Sequence, residues 1–463
     1  MNKESIKFNK VLGTLDIIFV AFGAMIGWGW VVSSGEWIKQ GGVLGTMLGF
    51  LLGGVVIYTV GLVYAELTTT FPKCGGGHHF CNEAFGSKAS FICTWFMILS
   101  YISVVCFEAV SFPTILQYIF PGFLRYYLYT IAGFDIYFTW LIVAIVVAIF
   151  ITCLNILGTE IAAKFQMILT IMIAMVGIIL FVVSLFKGDI DNISNNAFIG
   201  LNTKENLYGI IKVVSLTPFF FFGFDVIPQA SEEINVPMKR LGKMMILSIL
   251  LAVGFYMMVV FAVGYIMNFE EIKLSMDLSG LVTADAMKKA FNSQYMANIL
   301  IIGGLCGIVT SWNSFLIGGS RALYVMAASD MLPSFFLKLT KKKKSPIVAL
   351  MFIGGLSMIA PFWGRAMLVW VVDAGNFACC ITYVFISISY FKLKRKYPNK
   401  YRPYSIKNYK LIGFIAIVTS SILSILYIIP GTSCTFSKEE YIIIFVWIII
   451  GIILFKIKEK HMV

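Results

Sequence analysis

Residues 21–30 read AFGAMIGWGW. They lie inside an apolar stretch otherwise long enough to cross a bilayer. Yet they include Gly23, Gly27 and Gly29, with Trp28 between the last two. Each glycine in a helix interior costs about 0.5–1 kcal/mol relative to alanine. A membrane helix weakened in this way is expected to break there. Unwound backbone in hydrocarbon leaves N–H and C=O groups unpaired, and that is tolerated only where a cavity or a bound molecule meets them.

The surrounding chain says what kind of helix this is. Of its 463 residues, 59% are hydrophobic and only 13% are charged. Apolar runs of about twenty residues recur, the length an α-helix needs to span the hydrocarbon core. They are continuous, whereas barrel strands alternate apolar and polar residues. The expected fold is an all-α polytopic membrane protein. Its twelve spans lie near 12–34, 43–69, 91–119, 137–157, 164–186, 209–230, 244–268, 295–318, 346–361, 367–391, 411–430 and 441–456.

Lysine and arginine gather in the segments on the N-terminal side, notably Lys341–Lys344 and the run FKLKRKYPNKYR from residue 391. By the positive-inside rule both termini are cytoplasmic, in the plasma (inner) membrane. The net charge of +13 is then that of membrane anchors facing lipid, and it requires no nucleic-acid partner. Of nine cysteines, only Cys434 falls clearly in an outer loop, so no disulfide framework is implied. CGGGHHFC (residues 74–81) carries cysteine and histidine, but its glycines scaffold a metal poorly and no second cluster supports it. No metal or cofactor is expected. The three histidines, His78, His79 and His461, lie outside the spans, so no nucleophile–base pair forms at depth and an enzyme is not expected. A receptor would add a soluble signalling domain, and none fits. No Gly-x-x-x-x-Gly-Lys-Ser/Thr occurs, so energy must come from a gradient or from exchange.

The sixth span holds a second interruption, LTPFFFFGFDVIPQ (residues 216–229), with Pro218, Gly223 and Pro228. Breaks at corresponding positions of two halves point to a transporter built on an inverted repeat, with its site between them. The expected organisation is one transmembrane domain, residues 1–463. It comprises repeats of five spans at about 12–186 and 209–391, with discontinuous helices 1 and 6, and helices 11 and 12 at about 411–456. The amide end of a resumed half-helix suits a carboxylate, and the carbonyl end of the preceding half suits an ammonium or a cation. A zwitterionic amino acid fits both. The alternative is that Gly23 and Gly27, at small-xxx-small spacing, only permit close helix packing.

Five motifs in order resemble the amino acid–polyamine–organocation (APC) superfamily of permeases, which share the leucine-transporter fold. They are GAMIGWG (23–29), YAELTTTFPKCGGGHHFCNEAFG (64–86), GFDVIPQASEEINVP (223–237), NSFLIGGSRALYVMAASDMLP (313–333) and YRPY (401–404). The resemblance implies that the amides of Gly27, Trp28 and Gly29 bind a carboxylate. It implies carbonyls from Met25, Phe219 and Phe222 for the amine, and Phe219 as the gating aromatic. The chain departs from the family pattern at Trp28 and Phe220, where smaller residues are usual, and at Ile173, where many members carry a lysine that handles a proton or replaces sodium. In this fold the hydroxyls of Thr310, Ser311 and Ser314 form a candidate cation site with first-span carbonyls. The coupling ion, proton or sodium, stays open.

A charge at the bilayer centre costs at least about 2.5–3.5 kcal/mol, so acids at depth are functional candidates. Glu108, deep in the third span, can meet a substrate amine, carry a proton or pair structurally. Asp225, just after the second break, belongs to the site or caps the resumed helix. Glu66 is expected to pair within an inner gate; Glu232, Glu233 and Arg240 read as cytoplasmic loop residues, with inner-gate salt bridges to Arg321 left open, and Asp373 belongs to an outer gate. The expected function is a secondary transporter that moves a small neutral amino acid by alternating access, as monomer or homodimer among membrane lipid. The alternative is an amine or polyamine carrier, or an amino acid/amine exchanger, of the same fold.

Overall fold

The computed structural model describes residues 8–120, 122–432 and 435–460. Cys434 and His461 lie outside the described residues. The chain is helical almost throughout. In order the helices are α1 (Thr14–Met25), α2 (Gly29–Val32), α3 (Ser34–Thr70), α4 (Gly77–Phe85), α5 (Ser87–Ile119), α6 (Phe138–Ile156), α7 (Thr159–Lys187), α8 (Ile190–Ser194) and α9 (Thr203–Phe221). There follow α10 (Val226–Gln229), α11 (Met238–Ile266), α12 (Phe269–Leu278), α13 (Val282–Phe291), α14 (Gln294–Ala328), α15 (Ile347–Ile359), α16 (Ala366–Lys396), α17 (Tyr409–Leu426) and α18 (Lys438–Lys460). A two-stranded antiparallel hairpin, β1 (Tyr127–Ile131) and β2 (Phe134–Tyr137), joins α5 to α6.

Among the described residues, nine helices are long and apolar enough to cross a membrane. The other expected spans differ for identifiable reasons. The first is divided by its break. Ile347–Trp363 is apolar but short. α18 has 23 residues but carries charges at both ends. Outward faces confirm the medium. Ile168, Ile171, Met175, Ile178, Val182 and Leu185 stand exposed along one stripe of α7, as do Ile442, Phe445, Ile449 and Ile452 along α18. Apolar stripes of this length suit lipid, not water. The protein is a multi-pass helical membrane protein.

One boundary departs from expectation. The first span does not stop near residue 34; helical backbone runs on to Gly42, whose φ of 73° turns the chain into the second span within α3. A residue with a Cβ meets strain at that φ, and an added Cβ there would stand 2.6 Å from the Ala197 carbonyl oxygen.

Around the two breaks, α1 packs against α7, α11 and α14, and α5 packs against α14 and α16. On the N-terminal side, α4 lies across the ends of α5 and α16. There the CGGGHHFC segment serves as structure. The His78 ring bonds through Nδ1 to Thr94 Oγ1 at 2.9 Å and through Nε2 to Ser329 Oγ at 2.9 Å. Burial, helped by the neighbouring His79, lowers the His78 pKa to about 4. The unfolded chain therefore binds a proton near pH 6.5 that the folded chain refuses until about pH 4. Stability from this site is complete above pH 6.5 and is lost as the pH falls towards 4. Melting temperature measured across that window should fall, and His78→Gln should flatten the slope; an unchanged slope would show that other groups set it.

Candidate functional site

The first break is a short unwound link. The Ile26 N–H closes the last turn of α1 onto the Phe22 carbonyl at 3.0 Å, and helix resumes at Gly29. Among the described residues, no acceptor is found for the amides of Gly27, Trp28 or Gly29. Three backbone donors therefore stand open at the start of the resumed half-helix, where its dipole is positive.

In the second break α9 ends at Phe221, Phe222 is extended, and Gly223 has φ 135°. Gly223 faces the first break directly. A Cβ there would lie 2.6 Å from Ala24 Cβ and 2.9 Å from the Ala24 carbonyl carbon. The two breaks thus touch, backbone to backbone, and only glycine allows it. Asp225, fully buried, folds back into this turn. Its Oδ1 accepts from the Gly223 N–H at 3.2 Å and its Oδ2 from the Tyr101 hydroxyl at 2.7 Å.

Between the breaks lies a cavity of about 20 Å³, room for a single water. Met25, Gly27, Trp28, Gly29, Glu108, Phe219 and Phe222 all border it. Asp225 does not; it sits behind the second break, against Tyr101. The cavity is small because two rings crowd it. Phe220 lies over Gly29, where an added Cβ would be 2.3 Å from the ring, and meets Trp37 edge-on at 4.7 Å. Trp28 lies over Gly304 of α14. Both bulky departures are thus seated on glycines. Phe219 packs edge-on against Phe107 at 5.6 Å and is half-buried, on the side away from the N-terminus.

Glu108 Oε1 stands against Gly27, 2.8 Å from where a Cβ would be, beside Ser311. Its Oε2 is buried with no partner. Among the described residues bordering the cavity, Glu108 is an acid without a facing base. The three candidate hydroxyls take different partners. Ser311 borders the cavity. Thr310 Oγ1 donates to the Gly307 carbonyl of its own helix at 3.0 Å. Ser314 Oγ lies one turn further on, accepting from Gln166 Nε2 at 2.6 Å and donating to the Val20 carbonyl at 3.2 Å.

Three contributors had no role assigned from the sequence, although Asn313 opens one of the family motifs. Tyr256 donates its hydroxyl to the Met25 carbonyl at 2.8 Å, so that carbonyl already has one partner. Gln166 and Asn313, joined at 2.6 Å, tie α7 and α14 to α1 through Val20. Single polar residues in apolar helices give no periodic signal.

The N-terminal side is sealed. Arg321 Nε meets Glu233 Oε1 at 2.8 Å, both side chains almost wholly buried. Thr159 bridges them, donating to Glu233 and accepting from Arg321. The Glu233 carbonyl in turn accepts from the amides of Val11 and Leu12 at 2.8 and 2.9 Å, pinning the N-terminal segment across the opening. Glu66 gathers Lys394 at 3.0 Å, Arg402 at 3.1 Å and the Tyr390 hydroxyl at 2.8 Å.

Comparison with known proteins places this architecture. The chain is 26% identical over 463 residues to the branched-chain amino acid permease BcaP of Bacillus subtilis (strain 168), covering 98% of this chain and 94% of that one. It is 22% identical to the methylthioribose transporter of the same organism, over 98% and 94% of the two chains. It is 25% identical to the serine/threonine exchanger SteT, also of that organism, over 91% of each. The family model described as amino acid permease matches residues 12–455, nearly the whole length, and the chain belongs to that family.

Proposed function

We propose that the protein is a secondary transporter that carries a small neutral amino acid across the plasma membrane by alternating access, with both termini cytoplasmic. One observation carries this reading: two broken helices meet at a cavity bordered by three open amides and, beside Gly27, by a buried carboxylate. The amides at Gly27, Trp28 and Gly29 suit the substrate carboxylate, and the carbonyls of Met25, Phe219 and Phe222 suit its amine. The spans fall into the repeats 12–186 and 209–391, with 411–456 outside them. A cavity holding one water must widen before any amino acid enters, and Phe219 with Phe220 is the lid that can move without breaking hydrogen bonds. The relatives' names span branched-chain amino acids, serine/threonine and methylthioribose, so family membership leaves the substrate to the cavity.

The test is thermal stabilisation of the purified protein by each of twenty amino acids, putrescine and agmatine, at two pH values, with and without sodium. A ligand of the native state raises the melting temperature by mass action. Stabilisation by a small zwitterion supports the proposal; stabilisation only by amines lacking a carboxylate overturns it.

A second reading, an amine carrier, is favoured by the acid without a facing base. Glu108 separates the two. In the first reading Glu108 takes up a proton when a neutral zwitterion binds, and Gln mimics that neutral form. Glu108→Gln should then keep substrate binding within about tenfold while its uptake loses pH dependence. Loss of binding at every pH would place the ammonium of an amine on Glu108.

A further inference from the structure

A second cavity lies on the side away from the N-terminus, where the β1–β2 hairpin folds over the ends of α5 and α16. Two contacts hold the hairpin there. The Tyr129 hydroxyl donates to the Phe362 carbonyl at 2.7 Å, which ties β1 to the turn at Ala360–Trp363. Gly364 has φ 63°, and an added Cβ there would stand 2.6 Å from Ile136 Cδ1, so β2 packs directly on the backbone before Arg365. The cavity beside these contacts measures about 290 Å³, against about 20 Å³ for the central one.

Its walls bring three polar side chains together from three elements: Gln117 from the last turn of α5, Asp135 from β2 and Arg365 from the start of α16. The Arg365 guanidinium is half-buried and, among the described residues, has neither a hydrogen-bond acceptor nor an ion-pair partner. Burial pulls its pKa down, against a smaller opposing effect of Tyr118; an acid in contact would do the reverse. Residues 109–141 and 346–372 supply every wall, and Asp135 is the one acid in them. Asp135 is exposed, and its Oδ1 accepts from Thr130 Oγ1 at 2.6 Å instead of pairing with Arg365. Gln117 Oε1 is buried with no partner.

The cavity thus holds a cation that lacks an anion, beside two oxygen acceptors that can take a donor. The guanidinium fork matches a carboxylate. The N–H donors of an ammonium suit Gln117 Oε1 and Asp135. A plain anion would satisfy Arg365 alone and would face the Asp135 charge. A molecule with both charges on one carbon satisfies all three, and Leu124, Phe134 and Trp140 add an apolar wall for its side chain. We propose that this hairpin cavity is a second binding site, for the zwitterion of an apolar α-amino acid, with its carboxylate on Arg365 and its ammonium on Gln117 and Asp135. It goes beyond the transport reading and does not depend on it. Glu108 of the central cavity lies nine residues before Gln117 on α5, about 14 Å along the axis at about 1.5 Å per residue.

The test is hydrogen–deuterium exchange of the intact protein in detergent, read by peptide mass spectrometry, with three probes that share an isobutyl end: L-leucine, 4-methylpentanoate, which lacks the ammonium, and 3-methylbutylamine, which lacks the carboxylate. Leucine should slow exchange across the hairpin, residues 127–137, at a concentration at least about tenfold below that needed of 4-methylpentanoate, because hydrogen bonds to charged groups are the strong ones. The amine should leave the hairpin unchanged. Arg365→Gln should raise the leucine concentration needed at least about tenfold. Asp135→Asn, which keeps an acceptor for Thr130, should weaken leucine without weakening 4-methylpentanoate. Hairpin exchange indifferent to leucine, equal action of leucine and 4-methylpentanoate, or an undiminished response in Arg365→Gln would overturn the proposal. The three-probe comparison on the wild type stands even if a variant fails to fold. The same spectra cover residues 23–30 and 219–226, so a failure of the central site shows there and leaves the hairpin result intact.

Discussion

Gly223→Ala is expected to lower uptake at least a hundredfold in proteoliposomes while leaving the protein inserted in the membrane. The added methyl has nowhere to go. It would lie 2.6 Å from Ala24 Cβ and 2.9 Å from the Ala24 carbonyl carbon, and both are fixed by the backbone of α1. The φ of 135° adds strain that a residue with a Cβ bears at about 1–3 kcal/mol. Relief requires the two breaks to separate by a large fraction of an ångström. That moves the open amides of residues 27–29 relative to Phe219 and Phe222, and a misplacement of about 1 Å costs on the order of a hundredfold where geometry decides the outcome. Gly29→Ala makes a useful contrast. Its Cβ would strike the Phe220 ring, the far end of a side chain, so a smaller loss is expected. Gly254→Ala is the control, because nothing lies within 4 Å of its Cβ in α11. Wild-type uptake by Gly223→Ala, with Gly254→Ala also active, would mean that contact between the breaks does not matter to transport.

How much of this could be read beforehand depends on the kind of signal. Gly23, Gly27, Gly29, Pro218 and Gly223 are backbone residues, and their effect on a helix is local, so both breaks were legible. Composition sufficed for the membrane and the helices. Side-chain direction was not legible. Trp28 and Phe220 were visible only as bulky departures from the family pattern; that both rings crowd the cavity, seated on Gly304 and Gly29, depends on packing across the chain. Asp225 was visible as a charge at depth, but its bond to Tyr101 depends on how α5 packs. Thr310, Ser311 and Ser314 fall within one five-residue stretch of α14, at spacings that share a helix face, yet their hydroxyls take different partners, which depends on how neighbouring helices pack against that face. The end of the first span was misjudged at 34 because its true stop, Gly42, acts through a positive φ that an apolar count does not register.

Arg321→Met is expected to open the N-terminal side. The guanidinium is 1% exposed and holds Glu233 at 2.8 Å, with Thr159 and Ser320 completing its bonds. Removing it leaves the Glu233 carboxylate buried without its cation, at a cost of about 3–5 kcal/mol. The protein can escape that cost by hydrating Glu233, which requires the segment after α10 to leave α14. The N-terminal segment would follow, because the amides of Val11 and Leu12 hang on the Glu233 carbonyl. The chain carries its own reporter for this motion. Cys74 is buried, its thiol donates to the Gln229 carbonyl at 3.1 Å, and its amide donates to Glu232 at 3.1 Å. Burial, with the nearby glutamates, raises its thiol pKa, so in the sealed state it reacts slowly. In Arg321→Met, alkylation at Cys74 read by peptide mass spectrometry should accelerate at least tenfold, a population shift of about 1.4 kcal/mol. The double variant Glu233→Gln/Arg321→Met then decides the pair's purpose. It removes both charges, so melting temperature should recover much of the loss. If Cys74 still reacts fast, the ion pair is a latch whose strength sets how often the inner side opens. If Cys74 returns to the wild-type rate, a neutral contact seals equally well, and the latch lies elsewhere, in the bonds from Val11 and Leu12.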